Sequence, residues 1–294
     1  MELSLIDLKR GFQACGYISD EEIITTVYLA LKLEKPLLVT GAPGVGKTEI
    51  AKVLSCVFGT DLIRLQCYEG LDENKALYEW NYQKQLLHIQ MFKEGGQELK
   101  TDIFSREYLL ERPLLKAIQC NRKPVLLIDE IDKTDAEFEA FLYEVLSDFQ
   151  VSIPELGTVK AKQIPMVVLT SNGERELSDG LKRRCLFLYI DYPSLEKELA
   201  IVLAKAPGIP EKLAQEVARA MQLIRQKVSV KKKPSIAETL DWARALEALG
   251  VSKLDSGVVE KTLNVILKDR QDQELFNEQL GAQGLCRMLA GQGG

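Results

Sequence analysis

The sequence predicts an α/β fold, a mostly parallel sheet covered by helices and followed by a smaller, all-helical domain. Three observations carry that expectation. From residue 19 to about 190, short β-rich apolar runs alternate with amphipathic helical stretches. A glycine-rich run, GAPGVGKT, lies between the first of those apolar runs and the helical stretch after it. Beyond Tyr192-Pro193 only helical periodicity remains, broken at Pro207-Gly208-Ile209-Pro210, Lys231–Pro234 and Gly250.

Taken in order, Ser19 with Glu22 forms a capping-box pattern before a helix through about Leu33, and Pro36 introduces a strand over Leu37–Thr40. A helix from about Lys47 to Phe58 stops at Gly59, and strands follow at Leu62–Gln66 and Val125–Ile128. Residues 67–110 between them mix aromatic and charged residues with only partial periodicity, so they read as an insertion. Thr134 with Glu137 is a second capping-box pattern, opening a helix through about Leu146. QVSIPELGTVKA then alternates around a Pro-Glu-Leu-Gly turn, predicting a hairpin over about 150–161. Met166–Thr170 and Leu186–Ile190 complete the sheet, with a short helix bearing Leu181 to Arg184 between them. Ser235 with Glu238 caps a helix in the second domain. These boundaries divide the chain into 1–192 and 193–294.

The chemistry concentrates at strand ends. Gly41, Ala42, Pro43, Gly44, Val45, Gly46, Lys47 and Thr48 make a complete GxxxxGK[ST], and Glu49 follows in the first helical turn. Its glycines let successive N–H groups wrap phosphate oxygens, Lys47 can reach the β- and γ-phosphates, and Thr48 can offer a hydroxyl to Mg2+. Leu126-Leu127-Ile128-Asp129-Glu130 is an apolar strand ending in two acids, where open α/β sheets bind ligands. Asp129 suits the Mg2+ shell and Glu130 suits polarising a water for attack on the γ-phosphate of ATP. Asn172 closes the next strand and could orient that water without adding charge.

The order nucleotide loop, acidic strand end, Asn strand end and basic pair resembles the MoxR family of AAA+ ATPases, especially its CoxD-like branch. The segments that carry the resemblance are GAPGVGKT, LLIDEIDK, EFEAFLYEVLSDFQVSIPELGT, TSNGERELSDGLKRRC and PSIAETLDWARAL, within roughly residues 18–250. It implies an αβα nucleotide-binding core with a helical lid, Asn172 as sensor 1, and Arg183 or Arg184 as an arginine finger reaching a neighbouring subunit in a homo-oligomeric ring, a hexamer. A guanidinium so placed contributes on the order of 10³–10⁵ in rate; a solvated helix end is the plain alternative for Lys182-Arg183-Arg184. Where many members have a sensor-2 arginine, PSIAETL has Ala237; Arg244, two turns on, is either its substitute or a surface residue. The resemblance further implies a separate von Willebrand factor A-domain partner and a client metalloenzyme, remodelled or matured by ATP hydrolysis. A slow nucleotide-controlled assembly switch and a DNA-directed AAA+ ATPase are the other classes consistent with these motifs.

Composition narrows the field. A net charge of -5 gives no global attraction to phosphate backbones, so nucleic acid is not expected as a partner. No apolar run approaches the roughly 20 residues that span a bilayer, and MELSLIDLKRGF lacks the pattern of a secretory signal, which predicts a cytoplasmic protein without a transmembrane segment. The six cysteines form no CxxC pair and are expected to be reduced. With His88 as the only histidine, no structural metal is expected. Tyr68, Tyr78, Trp80 and Tyr82 in the insertion are either a partner surface or a local core.

Overall fold

The computed structural model describes residues 4–94 and 103–291. Contacts group the chain into two compact units, Met1–Cys15, Ser19–Gly41 and Lys47–Tyr189 in the first, and Gly16–Ile18, Ala42–Gly46 and Ile190–Gly294 in the second.

The first unit opens with helices α1 (Leu5–Ala14) and α2 (Glu21–Leu33), followed by β1 (Leu37–Gly41), α3 (Lys47–Phe58) and β2 (Leu62–Gln66). Helix α1 went unread in the sequence although Ser4 caps it, its hydroxyl accepting from the Asp7 N–H. The capping box expected at Ser19 shifts by one residue: Asp20 occupies the N-cap and α2 begins at Glu21, with two glutamates in its positive first turn. Gly59, at φ 56°, ends α3 in the left-handed conformation that glycine adopts without steric penalty.

Residues 67–110 form a small substructure of α4 (Glu73–Ala76), β3 (Tyr78–Trp80), α5 (Tyr82–Glu94) and β4 (Leu109–Glu111), with β3 and β4 antiparallel; positions 95–102 of the expected insertion lie outside the described residues. Its aromatics divide between interior and surface. Trp80 is buried edge-on to Tyr78 and Phe104, whereas Tyr68 and Tyr82 are exposed.

Helix α6 (Pro113–Gln119), with proline at its first position, precedes β5 (Val125–Asp129). Helix α7 (Ala136–Asp148) is capped by Asp135, which accepts from the Phe138 N–H; Thr134, expected in that role, instead turns its hydroxyl to the Ile131 carbonyl. The hairpin is β6 (Gln150–Ile153) paired with β7 (Gly157–Lys160), and the unit closes with β8 (Met166–Ser171), α8 (Asp179–Arg184) and β9 (Leu186–Ile190).

The central sheet runs β2-β5-β8-β1-β9, with β2–β5, β5–β8 and β8–β1 parallel. Strands β5 and β8 are buried along their whole length, as parallel strands covered on both faces must be. This order brings the ends of β2, β5, β8 and β1 to one edge. Contrary to the expectation of reduced thiols, Cys15 and Cys56 form a disulfide, Cα atoms 6.3 Å apart, tying α1 to α3; the sequence concealed it because α1 itself was not visible there.

The second unit contains α9 (Leu195–Lys205), α10 (Glu211–Lys227), α11 (Ile236–Ala248), α12 (Ser256–Ile266), α13 (Arg270–Gln279) and α14 (Gly281–Gly291). They enclose a core that includes Val202, Leu213, Val217, Met221, Trp242 and Phe276. Inside it, buried Arg225 pairs in a fork with buried Glu198 at 2.6 and 2.7 Å and donates to the Pro234 carbonyl at 2.6 Å. This holds the turn entering α11, whose Ser235–Glu238 capping box is present as the sequence predicts.

Candidate nucleotide site

The glycine-rich loop leaves β1 at Gly41 and enters α3 at Lys47, with Gly44 at φ 77° and Gly46 at φ 98°, conformations that side chains resist. A Cβ at Gly44 would meet the Ser235 hydroxyl at 2.1 Å and the Ala237 methyl at 3.3 Å, so glycine is required there for space as well as for dihedral.

Lys47 is 6% exposed, and its ammonium donates to the Gly41 carbonyl at 2.7 Å and to Asn172 Oδ1 at 2.8 Å. Burial draws its pKa below the ordinary lysine range, opposed by the carboxylates of Asp132, Asp129 and Glu130. The Thr48 hydroxyl donates to Asp129 Oδ1 at 3.2 Å. These two oxygens suit Mg2+, which takes few protein oxygens and completes its octahedron with water and phosphate. Glu49 is half-buried on the first turn of α3 and pairs with Lys52 at 2.5 Å.

Asp129 is buried at the end of β5. Its Oδ1 also accepts from the Thr170 hydroxyl at 2.5 Å, and its Oδ2 accepts from Arg64 Nη2 at 2.5 Å. Thr170 is used twice, since its hydroxyl oxygen receives the Glu130 N–H at 2.9 Å. Glu130 stands in the left-handed region at φ 59°, ψ 50°, a strained conformation for a non-glycine residue. Its Oε2 accepts from Gln66 Nε2 at 2.9 Å and Lys133 Nζ at 2.7 Å. Beside them Cys67 is buried, and burial together with those acids pushes its thiol up to about 12, leaving it protonated and unreactive.

Asn172 follows β8. Its N–H and that of Glu174 both reach Oδ2 of buried Asp132 at 3.0 Å, so this third acid of DEID fixes the turn that presents the asparagine. Further along, buried Glu139 accepts from the Ser178 N–H at 2.9 Å and hydroxyl at 2.5 Å and pairs with Arg175, anchoring the approach to α8.

The two finger candidates differ. Arg184 donates to the Ser147 hydroxyl at 2.7 Å and the Gly180 carbonyl at 2.9 Å, and its guanidinium lies 4.4 Å from the Tyr143 ring centre. Arg183 is exposed and, among the described residues, has no partner. In the second unit, Arg244 is exposed on α11, also without a partner among the described residues.

The structure therefore brings together Gly41, Lys47, Thr48, Asp129, Glu130 and Asn172, leaves Glu49 half-buried in its pair with Lys52, and leaves Arg183 and Arg244 exposed. Sequence reasoning missed Arg64, Gln66, Asp132 and Thr170. The polar alternation of β2 and the third acid after β5 were their only local signals, and both become legible once β2, β5 and β8 are adjacent.

Comparison with known proteins bears on the fold and the family. An uncharacterized protein of Staphylococcus epidermidis is 25% identical over 270 residues, covering 88% of this chain and 95% of its own length. A second, from Staphylococcus aureus, is 24% identical over 271 residues with the same coverage. Two solved RuvB mutants of Thermotoga maritima each superpose with a TM-score of 0.50. One is 20% identical, covering 85% of this chain and 70% of its own, and the other 16% identical, covering 96% and 73%. Identities this low show a shared fold alone. The model of the AAA domain, dynein-related subfamily, matches residues 36–185, from the start of β1 to the end of α8 and half of the chain. The chain belongs to that AAA family.

Proposed function

We propose that this protein is a Mg2+-dependent ATPase that works as a ring and remodels a client protein. The observation that carries this reading is the convergence of buried Lys47 on Gly41 and Asn172, beside the Thr48–Asp129 oxygen pair and the Glu130 carboxylate. Lys47 would meet the β- and γ-phosphates, Thr48 and Asp129 would hold Mg2+, Glu130 would take the proton of the attacking water, and Asn172 would orient that water. Mg2+ would offset charge developing on the transferred phosphoryl. The loop 41–48 suits the phosphates because its glycines expose backbone N–H groups.

Completion of the site by a second copy is supported by Arg183, whose exposure and lack of a partner among the described residues leave it available, whereas Arg184 is held by its own chain. Arg183 is accordingly our finger. Arg244 remains the candidate for the sensor-2 role that Ala237 cannot fill. The MoxR-like and CoxD-like motifs support a metalloenzyme client matured with a separate von Willebrand factor A-domain protein; that part of the reading rests on the resemblance.

The test is ATP hydrolysis with Mg2+ across a protein concentration series, with particle size measured in parallel, for wild type, Arg183→Ala and Arg184→Ala. Specific activity should rise as subunits assemble, and Arg183→Ala should assemble yet lose roughly 10³ in rate. Concentration-independent activity from a monomer would replace the ring with a nucleotide-controlled switch.

A further inference from the structure

Strand β2 supplies a guanidinium to the very carboxylate proposed for the metal. Arg64 Nη2 lies 2.5 Å from Asp129 Oδ2, and the same nitrogen donates to Gln66 Oε1 at 2.5 Å. Gln66 then donates to Glu130 Oε2 at 2.9 Å. Asp129, Arg64, Gln66 and Glu130 thus form one continuous chain of hydrogen bonds along the sheet edge. Asp129 is 3% exposed, whereas the Arg64 side chain is 54% exposed on an edge strand, so the carboxylate is fixed and the arginine has solvent to swing into.

We propose that Arg64 competes with Mg2+ for Asp129, setting the metal concentration at which the site loads. The inference rests on the nucleotide site proposed above and adds to it a residue from the edge strand β2. A guanidinium and a divalent cation against one buried carboxylate repel each other, while each alone is attracted to it. Metal entry therefore displaces the guanidinium or is opposed by it, and either course weakens Mg2+ binding. Solvent screens a half-exposed arginine, which limits the effect to roughly three- to tenfold in the half-saturating Mg2+ concentration. Because Arg64 also holds Gln66, its departure loosens the Gln66 contact to Glu130. Loading of the metal is thereby linked to freedom of the adjacent acid.

Competition and simple orientation predict opposite signs. If Arg64 merely aims Asp129, its loss weakens Mg2+ binding; if it competes, its loss tightens it. The experiment is a Mg2+ titration of the full chain in saturating ADP, read as thermal midpoint, for wild type, Arg64→Met and Arg64→Lys, with melts in EDTA to establish folding. Arg64→Gln serves as a second uncharged variant should Arg64→Met not fold. The half-saturating Mg2+ concentration should fall roughly three- to tenfold in the uncharged variant and stay near wild type in Arg64→Lys. An unchanged or higher value in the uncharged variant, with a normal shift on adding ADP, overturns the role given to Arg64 alone. If wild type shows no ADP-dependent shift at all, the nucleotide reading itself falls, and the Arg64 proposal with it.

Discussion

Glu130 shows how much a single position in this site does. Its N–H is held by Thr170, its carboxylate by Gln66 and Lys133, and its backbone lies in a region that side chains avoid. An amide in place of the carboxylate leaves the backbone and most of those contacts standing but cannot accept a proton. Glu130→Gln should therefore bind a fluorescent ATP analogue as wild type does, while turnover falls by about 10² or more; ordinary turnover in the purified variant would remove Glu130 from the role of base. Lys47, Thr48, Asp129, Glu130 and Asn172 could be found in the sequence because each sits in a short motif at a strand end. Asp132, Thr170, Gln66 and Arg64 could not, because what they do depends on which strand lies beside which. No local pattern says that β2 is the neighbour of β5.

Among elements, the strands and the phosphate-loop helix were the most legible. Apolar runs of four or five residues bounded by glycine, proline or acids leave little freedom in where a buried parallel strand begins. Helix caps were displaced by one residue at Asp20 and Asp135; at Asp135 the neighbouring acid takes the orphan Phe138 N–H in place of Thr134. Helix α1 was missed, and with it the Cys15–Cys56 bridge that closes a separation of 41 residues. Closing a loop of that size restricts the unfolded chain, so the bridge should contribute about 2–4 kcal/mol. Cys15→Ser/Cys56→Ser, or mild reduction of the wild type, should lower the melting temperature by several degrees. An unchanged melting temperature after reduction would show that α1 is held to α3 by packing, with Leu8 and Phe12, both fully buried, doing the holding.

For the whole molecule, two separate apolar clusters matter most, one around the five-stranded sheet and the other centred on Met221, Trp242 and Phe276. Each is large enough to fold cooperatively, so unfolding should depart from a single two-state transition. Calorimetry should give a total enthalpy exceeding the van't Hoff value, and Mg2+ with ADP should raise the step that belongs to the sheet-bearing unit. Coincident enthalpies would mean that the two units melt as one. No helix among the described residues is long and apolar enough to cross a membrane. The left-handed backbone at Glu130 has one more consequence, for directed evolution. The strain there costs about 1–3 kcal/mol, and glycine would relieve it at once. A library selected for heat resistance alone will therefore drift toward variants that survive well and have discarded the acid, so selection must score turnover alongside survival.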